Sequence, residues 1–276
     1  MPELPEVEAF GQWLLPQVRG RRATVIEVLK PRLVRPLSPV QFRKALEGGR
    51  IQDIRRQGKC LLWEWVCPSG ETELMVSHLG MTGSWQVLPE GAPLPRHAAV
   101  VLGLEGLRVV LEDPRQLGHL RLGRQAVPVL GPEPLDPDFT PEMLGQVLVR
   151  SRTPIKVCLM DPTRLAGVGN LYASEALFLA GIDPTTPACE LGSEAVGRLH
   201  AVLRKLLKKA VEQNLRALRS HHPMLYQQGG LADSPAEGGL WVYDREGQPC
   251  RHCGTPITRF KQSGRSTYQC PQCQRR

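Results

Sequence analysis

Cys250-Arg-His-Cys253 and Cys270-Pro-Gln-Cys273 are two Cys-x2-Cys pairs separated by sixteen residues, and their reading decides how this end of the chain folds. A segment this short has no core of its own. Two knuckles at this spacing close a tetrahedral thiolate site around zinc, and metal binding then supplies the folding free energy. Four thiolates fill the shell and leave no position for water, so one structural, non-catalytic Zn2+ is expected. Between the knuckles, residues 255–260 and 266–269 read as two short strands around the turn Gln262-Ser263-Gly264-Arg265, a β-hairpin with Arg265 near its tip. Residues 245–276 carry seven Arg or Lys against one acid. The element stays positive even with a zinc tetrathiolate, which suits a DNA groove or backbone, although such ribbons also serve as plain structural clips.

Outward from the ribbon, much of the remaining basic excess of a chain with net charge +8 lies in residues 198–219. That block is either a second polyanion surface or the solvated face of an amphipathic helix. With 276 residues and 41% hydrophobic content the chain can bury a sizeable core, and two domains with a small third element are expected. It has no apolar run long enough to span a bilayer and no basic-then-apolar leader, so a cytoplasmic protein without membrane attachment is expected. Cys60, Cys67, Cys158 and Cys189 sit among apolar neighbours and are expected to be reduced, buried thiols.

The other end opens Met1-Pro2-Glu3-Leu4-Pro5-Glu6-Val7-Glu8. Removal of Met1 would free a secondary amine able to attack an electrophilic carbon and form an iminium, with carboxylates close by. Equally, a proline followed by acids is an ordinary helix start. Residues 5–18 have helical apolar spacing, ending at Gly20. From residue 23 to 121 the pattern turns to short β-rich runs (24–29, 60–66, 73–76, 98–102 and 107–111), a β-sandwich or barrel-like domain. Residues 127–137 are proline-rich and read as a semi-rigid linker. Beyond it, 141–151, 155–161, 170–180 and 193–219 read as helices. Ala166-Gly-Val-Gly169 precedes Asn170 at a helix entry, either a phosphate-holding turn or a plain Gly turn and cap.

Taken together, the opening octapeptide, His78-Leu-Gly-Met-Thr-Gly83, Gly167-Val-Gly-Asn-Leu-Tyr-Ala-Ser-Glu175 and the four-cysteine ribbon resemble the bacterial formamidopyrimidine-DNA glycosylase family, in order over nearly the whole chain. The resemblance implies an α+β multidomain protein. Residues 1–126 would form an N-terminal catalytic β-sandwich with a flanking helix and 127–138 the linker. Residues 139–240 would form a helix-two-turns-helix DNA-binding domain and 241–276 the zinc hairpin. It also implies a base-excision-repair enzyme that removes oxidised purines from double-stranded DNA and cuts abasic sites by β,δ-elimination. A monomer in the bacterial cytoplasm, associated with the nucleoid, is expected.

Residue by residue, Pro2 matches the nucleophile, Glu3 the general acid/base, Glu6 a group that orients the site, and Lys59 a basic residue gripping phosphate at the lesion. His78, Asn170, Tyr243 and Arg265 match positions that hold the backbone around an extruded nucleotide, with Lys156 adding to the grip. Met81, Arg115 and Leu117 match the wedge that fills the hole in the base stack. Two departures stand out. The family usually has an aromatic where Asp113-Pro-Arg-Gln-Leu117-Gly118 has Leu, and residues 217–239 do not read like the usual segment, which in relatives includes the loop covering 8-oxoguanine. Two rival readings remain. One is an endonuclease VIII-type glycosylase for oxidised pyrimidines, disfavoured by Leu4; the other is a non-catalytic, zinc-stabilised damaged-DNA-binding protein, disfavoured by the Pro2, Glu3, Glu6 and Lys59 set.

Overall fold

The computed structural model describes residues 2–220 and 239–275, so most of the atypical 217–239 stretch lies outside the described residues. They cluster into two compact units. The first holds Glu6–Pro128 together with Pro2 and the stretch from Leu215; the second holds Glu3–Pro5, Val129–Asn214 and the C-terminal residues.

In the first unit, α1 (Leu4–Val18) places Val7, Phe10, Leu14 and Val18 on a buried stripe, as the helical spacing requires. At Gly11 an added Cβ would stand 3.2 Å from Leu61 Cδ2, so the helix lies close against the sheet. Glu8 pairs with Arg56 at 2.7 Å and ties it there. The strands are β1 (Ala23–Val28), β2 (Arg50–Gln57), β3 (Cys60–Val66), β4 (Thr72–His78), β5 (Ser84–Pro89), β6 (Ala98–Leu104), β7 (Leu107–Glu112) and β8 (His119–Leu122), with a short helix α2 (Pro39–Leu46) after β1. They form two four-stranded antiparallel sheets, β1-β6-β7-β5 and β2-β3-β4-β8. Ser38 starts α2 with a capping box closed by Gln41.

The sheets meet through tryptophans. Trp63 of one and Trp85 of the other have ring centroids 5.0 Å apart, and Trp85 Nε1 donates to Ser77 Oγ at 3.2 Å. This is the expected β-sandwich. Replacing either ring by alanine removes about 3–5 kcal/mol of burial and leaves a void.

Three strands escaped the sequence pattern. In β2 the buried residues are Ile51 and Ile54, a helix-like spacing of three. The register shows why: Ile51 pairs with Trp65 and Asp53 with Glu64, so Gln52 is a bulge, and alternation resumes one residue late. β5 runs six residues into Pro89 with polar Ser84 and Gln86 among its apolar ones, and β8 has only four residues, half of them polar, too few for a period-two signal.

The second unit contains α3 (Pro141–Leu148), α4 (Ile155–Leu159), α5 (Asn170–Leu179), α6 (Ser193–Arg219, as far as Asn214) and the hairpin of β9 (Thr258–Gln262) and β10 (Arg265–Gln269). Its core gathers Leu4, Leu144, Leu159, Tyr172, Leu177, Leu199, Leu203 and Leu207. The proline-rich segment is fixed rather than free: Arg204 donates to the Pro134 carbonyl at 3.0 Å and also to that of Asp136, and Gly131 N–H to Pro162 O at 2.9 Å. Cys60 and Cys158 are buried as expected, but Cys67 is half-buried at a strand end and Cys189 is exposed. Cys189 belongs to a single 3-10 turn, Ala188–Glu190, which buries Ala188 instead. Among the described residues no helix is long and apolar enough to cross a membrane.

Candidate active site and nucleic-acid interface

The residues singled out by sequence form two sets, one in each unit. In the first unit Pro2 is buried and Glu6 is 2% exposed in the first turn of α1. Lys59 sits at the tip of the β2–β3 hairpin, where Gln57 pairs with Cys60 across Gly58-Lys59 and Gly58 takes φ 57°. One row further, His78 pairs with Cys60 on one side and His119 on the other. The His78 Nδ1 accepts the Gly80 N–H at 3.0 Å. Burial, and then the neighbouring charge of Lys59, lowers the His78 pKa below its ordinary value.

Two loops carry the residues expected to form the wedge. Met81 is 41% and Leu117 40% exposed, unusual for large apolar side chains and consistent with a surface kept for a partner. Asp113, which opens the 113–118 pattern, locks the loops together from a position 2% exposed. Its Oδ1 accepts from Thr82 Oγ1 at 2.8 Å and Arg115 N–H at 3.3 Å, and its Oδ2 from Gly118 N–H at 2.8 Å. At Gly80, φ is 63° and a Cβ would stand 2.6 Å from Gly118 N, so nothing larger fits. Gln116, a non-glycine residue at φ 52°, stores strain of order 1 kcal/mol at the tip.

In the second unit the Gly-Val-Gly turn receives a carboxylate from its own chain. Glu3 Oε1 accepts the Leu171 N–H at 3.0 Å and Oε2 the Tyr172 N–H at 3.5 Å, at the N-terminus of α5. The N-cap residue is Gly169, with no side-chain cap, and Glu3 supplies the missing acceptor. A Cβ at Gly169 would lie 2.2 Å from Glu3 Cδ, so the approach demands glycine.

Lys156, expected to add to the phosphate grip, lies inside the second unit. It is 1% exposed, and its ammonium donates to Asn170 Oδ1 at 2.6 Å, Ser266 O at 2.9 Å and Thr267 Oγ1 at 2.9 Å. All three protons are thereby used inside the protein. Burial, with Arg265 acting in the same direction and Glu3 against it, lowers its pKa to about 8. Asn170 also hydrogen-bonds Tyr243, whose phenol is pushed up mainly by burial. The Tyr243 backbone is set by Glu175, the last residue of the 167–175 motif and given no role of its own there: 1% exposed, it accepts the N–H groups of Trp241, Val242 and Tyr243 at 2.8, 2.9 and 2.9 Å. Arg265 stands exposed at the first residue of β10, after a turn in which Ser263 and Gly264 both take positive φ.

The sulfur atoms of Cys250, Cys253, Cys270 and Cys273 lie within 4.8 Å of one another. The Cys250–Cys273 and Cys253–Cys270 separations are 3.9 and 3.4 Å, close to the ~3.8 Å between ligands of a tetrahedral zinc tetrathiolate with 2.3 Å bonds. Knuckle N–H groups of His252 and Cys273 point at Cys250 and Cys270 sulfurs, each at 3.4 Å. Hydrogen bonding from Thr255 lowers the Cys253 pKa to about 6, while burial raises Cys270 and Cys273. Four thiolates this close require a dication, and the donor set fits one structural zinc.

Comparison with known proteins agrees with this arrangement. Residues 1–120 match the formamidopyrimidine-DNA glycosylase N-terminal domain, 130–221 its H2TH domain, and 247–276 the zinc finger found in FPG and IleRS. Formamidopyrimidine-DNA glycosylase of Symbiobacterium thermophilum is 40% identical over 99% of this chain and 89% of its own length; that of Chloroflexus aurantiacus is 39% identical over 99% and 98%. MutM solved in complex with DNA containing carbocyclic 8-oxo-G superposes with a TM-score of 0.85 at 32% identity, covering all of both chains. Lactococcus lactis Fpg bound to Fapy-dG DNA also gives 0.85 at 32%, over 99% of this chain and all of that one. The chain belongs to the formamidopyrimidine-DNA glycosylase family.

Proposed function

We propose that this protein is a base-excision-repair glycosylase and abasic-site lyase acting on oxidised purines, 8-oxoguanine and formamidopyrimidines, in duplex DNA of the bacterial nucleoid, as a monomer. The observation that carries the chemistry is the buried Glu3 carboxylate, oriented by two backbone N–H groups and joined by a single peptide bond to Pro2. Once Met1 is removed, the Pro2 nitrogen attacks C1′ of the flipped nucleotide. The glycosidic bond breaks, and its electron pair leaves with the damaged base. Glu3 donates a proton to the deoxyribose ring oxygen as the ring opens, leaving an iminium between Pro2 and C1′. The iminium acidifies the C2′ proton. Its removal expels the 3′ phosphate, and a second elimination expels the 5′ phosphate; hydrolysis of the iminium restores the free amine.

Lys59, His78, Asn170, Tyr243 and Arg265 hold the phosphodiester backbone in this reading, with Glu6 stabilising positive charge beside the amine. Met81, Arg115 and Leu117 enter the stack where the base has left. Lys156 and Glu175 position Asn170 and Tyr243 and do not touch DNA.

Borohydride reduction on abasic-site DNA tests the covalent step. A trapped adduct mapping to Pro2 in Met1-free protein is expected, and none with correctly matured protein would leave a binding module. Base release tests the substrate, and faster release of thymine glycol than of 8-oxoguanine or formamidopyrimidine would assign the chain to oxidised pyrimidines.

A further inference from the structure

His119, stacked on His78, enters none of the steps above. Cross-strand register sets Cys60, His78 and His119 side by side on one face of the β3-β4-β8 sheet. The two imidazoles are 5.2 Å apart between centroids and 3° from parallel. Since His78 Nδ1 accepts the Gly80 N–H, the proton of a neutral ring resides on Nε2. Among the described residues Nε2 has no hydrogen-bond partner. A second proton, on Nδ1, would oppose donor to donor at Gly80 and open the turn that presents Met81.

Burial and two cations, Lys59 and Arg121, disfavour a charged imidazole here, and Asp113 is the one acid among the neighbours named. Lys59 and Cys60 face His78 from the β2–β3 hairpin, and Arg121 lies two residues beyond His119 on β8. The loop of Asp113 and Arg115 passes against the His78 backbone, because a Cβ at Gly118 would stand 2.8 Å from the His78 carbonyl and 3.2 Å from Asp113. Burial first, then His78 and Arg121, takes the His119 pKa down to about 4.

We propose that His119 is a positioning residue for His78: stacked face to face, it holds the His78 imidazole as a neutral Nε2–H donor aimed at a DNA phosphate. The proposal rests on the reading of His78 as a backbone contact. A neutral donor adds a hydrogen bond without releasing a counterion, unlike the contacts of Lys59 and Arg265. Removing the His119 ring uncovers one face of His78, admits water and returns its titration towards the ordinary ~6.5.

Histidine-labelled NMR of the zinc-loaded protein, with equilibrium binding to a duplex carrying a tetrahydrofuran abasic analogue between pH 5.5 and 8, decides the matter. The wild type should show His78 as the Nε2–H tautomer, titrating below ~6.5. His119→Ala should raise the His78 pKa, weaken binding at neutral pH about 5-fold and add a pH-dependent step below ~6.5 that wild type lacks. His119→Phe, which restores a flat face, should recover affinity and remove the step. In a His78→Gln background, His119→Ala should change affinity no further. An unchanged His78 tautomer and pKa in His119→Ala, or an equal loss of binding in the His78→Gln background, would overturn the proposal. Wild-type affinity in His78→Gln alone would instead overturn the backbone-contact reading and the donor role with it, while the NMR arm still reports whether the stack sets the tautomer. Should His119→Ala fail to fold, a wild-type His78 found as the Nδ1–H tautomer or titrating at or above ~6.5 overturns the proposal by itself.

Discussion

The strand-built region around His78 and the helix-and-ribbon region around Asn170 hold their polar groups in different ways. In the first, Lys59 sits half-buried at a hairpin tip, Arg115, Met81 and Leu117 are exposed on two loops, and one buried acid, Asp113, ties those two loops together. In the second, Glu3, Lys156 and Glu175 are each 3% exposed or less, and their polar atoms are engaged by neighbouring groups of the same unit. Two lysines in one family pattern thus sit differently: Lys59 is half-buried at a hairpin tip, whereas Lys156 is enclosed and donates to three groups of its own unit. A buried charge whose hydrogen bonds are complete sets the geometry of others, and an exposed one meets the partner.

Zinc removal should break the second region most severely. A structural tetrathiolate zinc contributes on the order of 10 kcal/mol to the folding of such an element. Chelation or Cys253→Ser should therefore release the hairpin and weaken DNA binding at least ~100-fold, as titration calorimetry and metal analysis would register. A variant keeping metal-free wild-type affinity would show that the ribbon does not hold Arg265 and Tyr243 in place. Next, Glu3→Gln keeps the shape and the acceptor for Leu171 but loses proton transfer. Base excision should fall about 100- to 1000-fold in single-turnover assays, with near-native DNA affinity.

The lysine contrast is sharpened by a matched pair. Lys156→Met should cost about 3 kcal/mol of stability, because three buried acceptors lose their donor, and should leave the salt dependence of binding unchanged. Lys59→Met should do the reverse, lowering the slope of log affinity against log salt by about one with little change in Tm. Equal salt slopes for both would dissolve the distinction.

A pH effect belongs to the strand region. His119 has a folded pKa of about 4 against an ordinary 6.5. Between these values the unfolded chain binds more protons, so this contribution is complete above ~6.5 and is lost as pH falls towards 4. With screening allowed for, the loss is up to about 2 kcal/mol, and acid unfolding of His119→Phe should lack it. Smallest is Leu117→Phe, where a stacking ring should improve affinity for abasic-site DNA by about 1 kcal/mol.

Much of this was legible in the sequence. The cysteine pairs, the apolar stripe of α1 and the all-buried run of β6 carry local signals, and each appears where its pattern places it. β2 was hidden because a single extra residue, Gln52, turns a period of two into an apparent period of three. Glu3 could be picked out by its place beside Pro2, but its partners Leu171 and Tyr172 lie 168 and 169 residues away and leave no trace in local composition. For the same reason the burial of Lys156 could not be read: charge is visible in a sequence, and enclosure is not. Asp113 and Glu175 were missed because they act through backbone N–H groups, which every residue offers alike.

Gly169 carries a consequence of its own. It has no side chain to donate, accept or react, yet the space it leaves is filled by the Glu3 carboxylate, which a methyl group there would overlap. In a mutational scan it should behave as one of the least replaceable positions of the chain, indistinguishable by phenotype from the acid it accommodates. Its contribution is an absence, and no chemical probe of functional groups would ever find it.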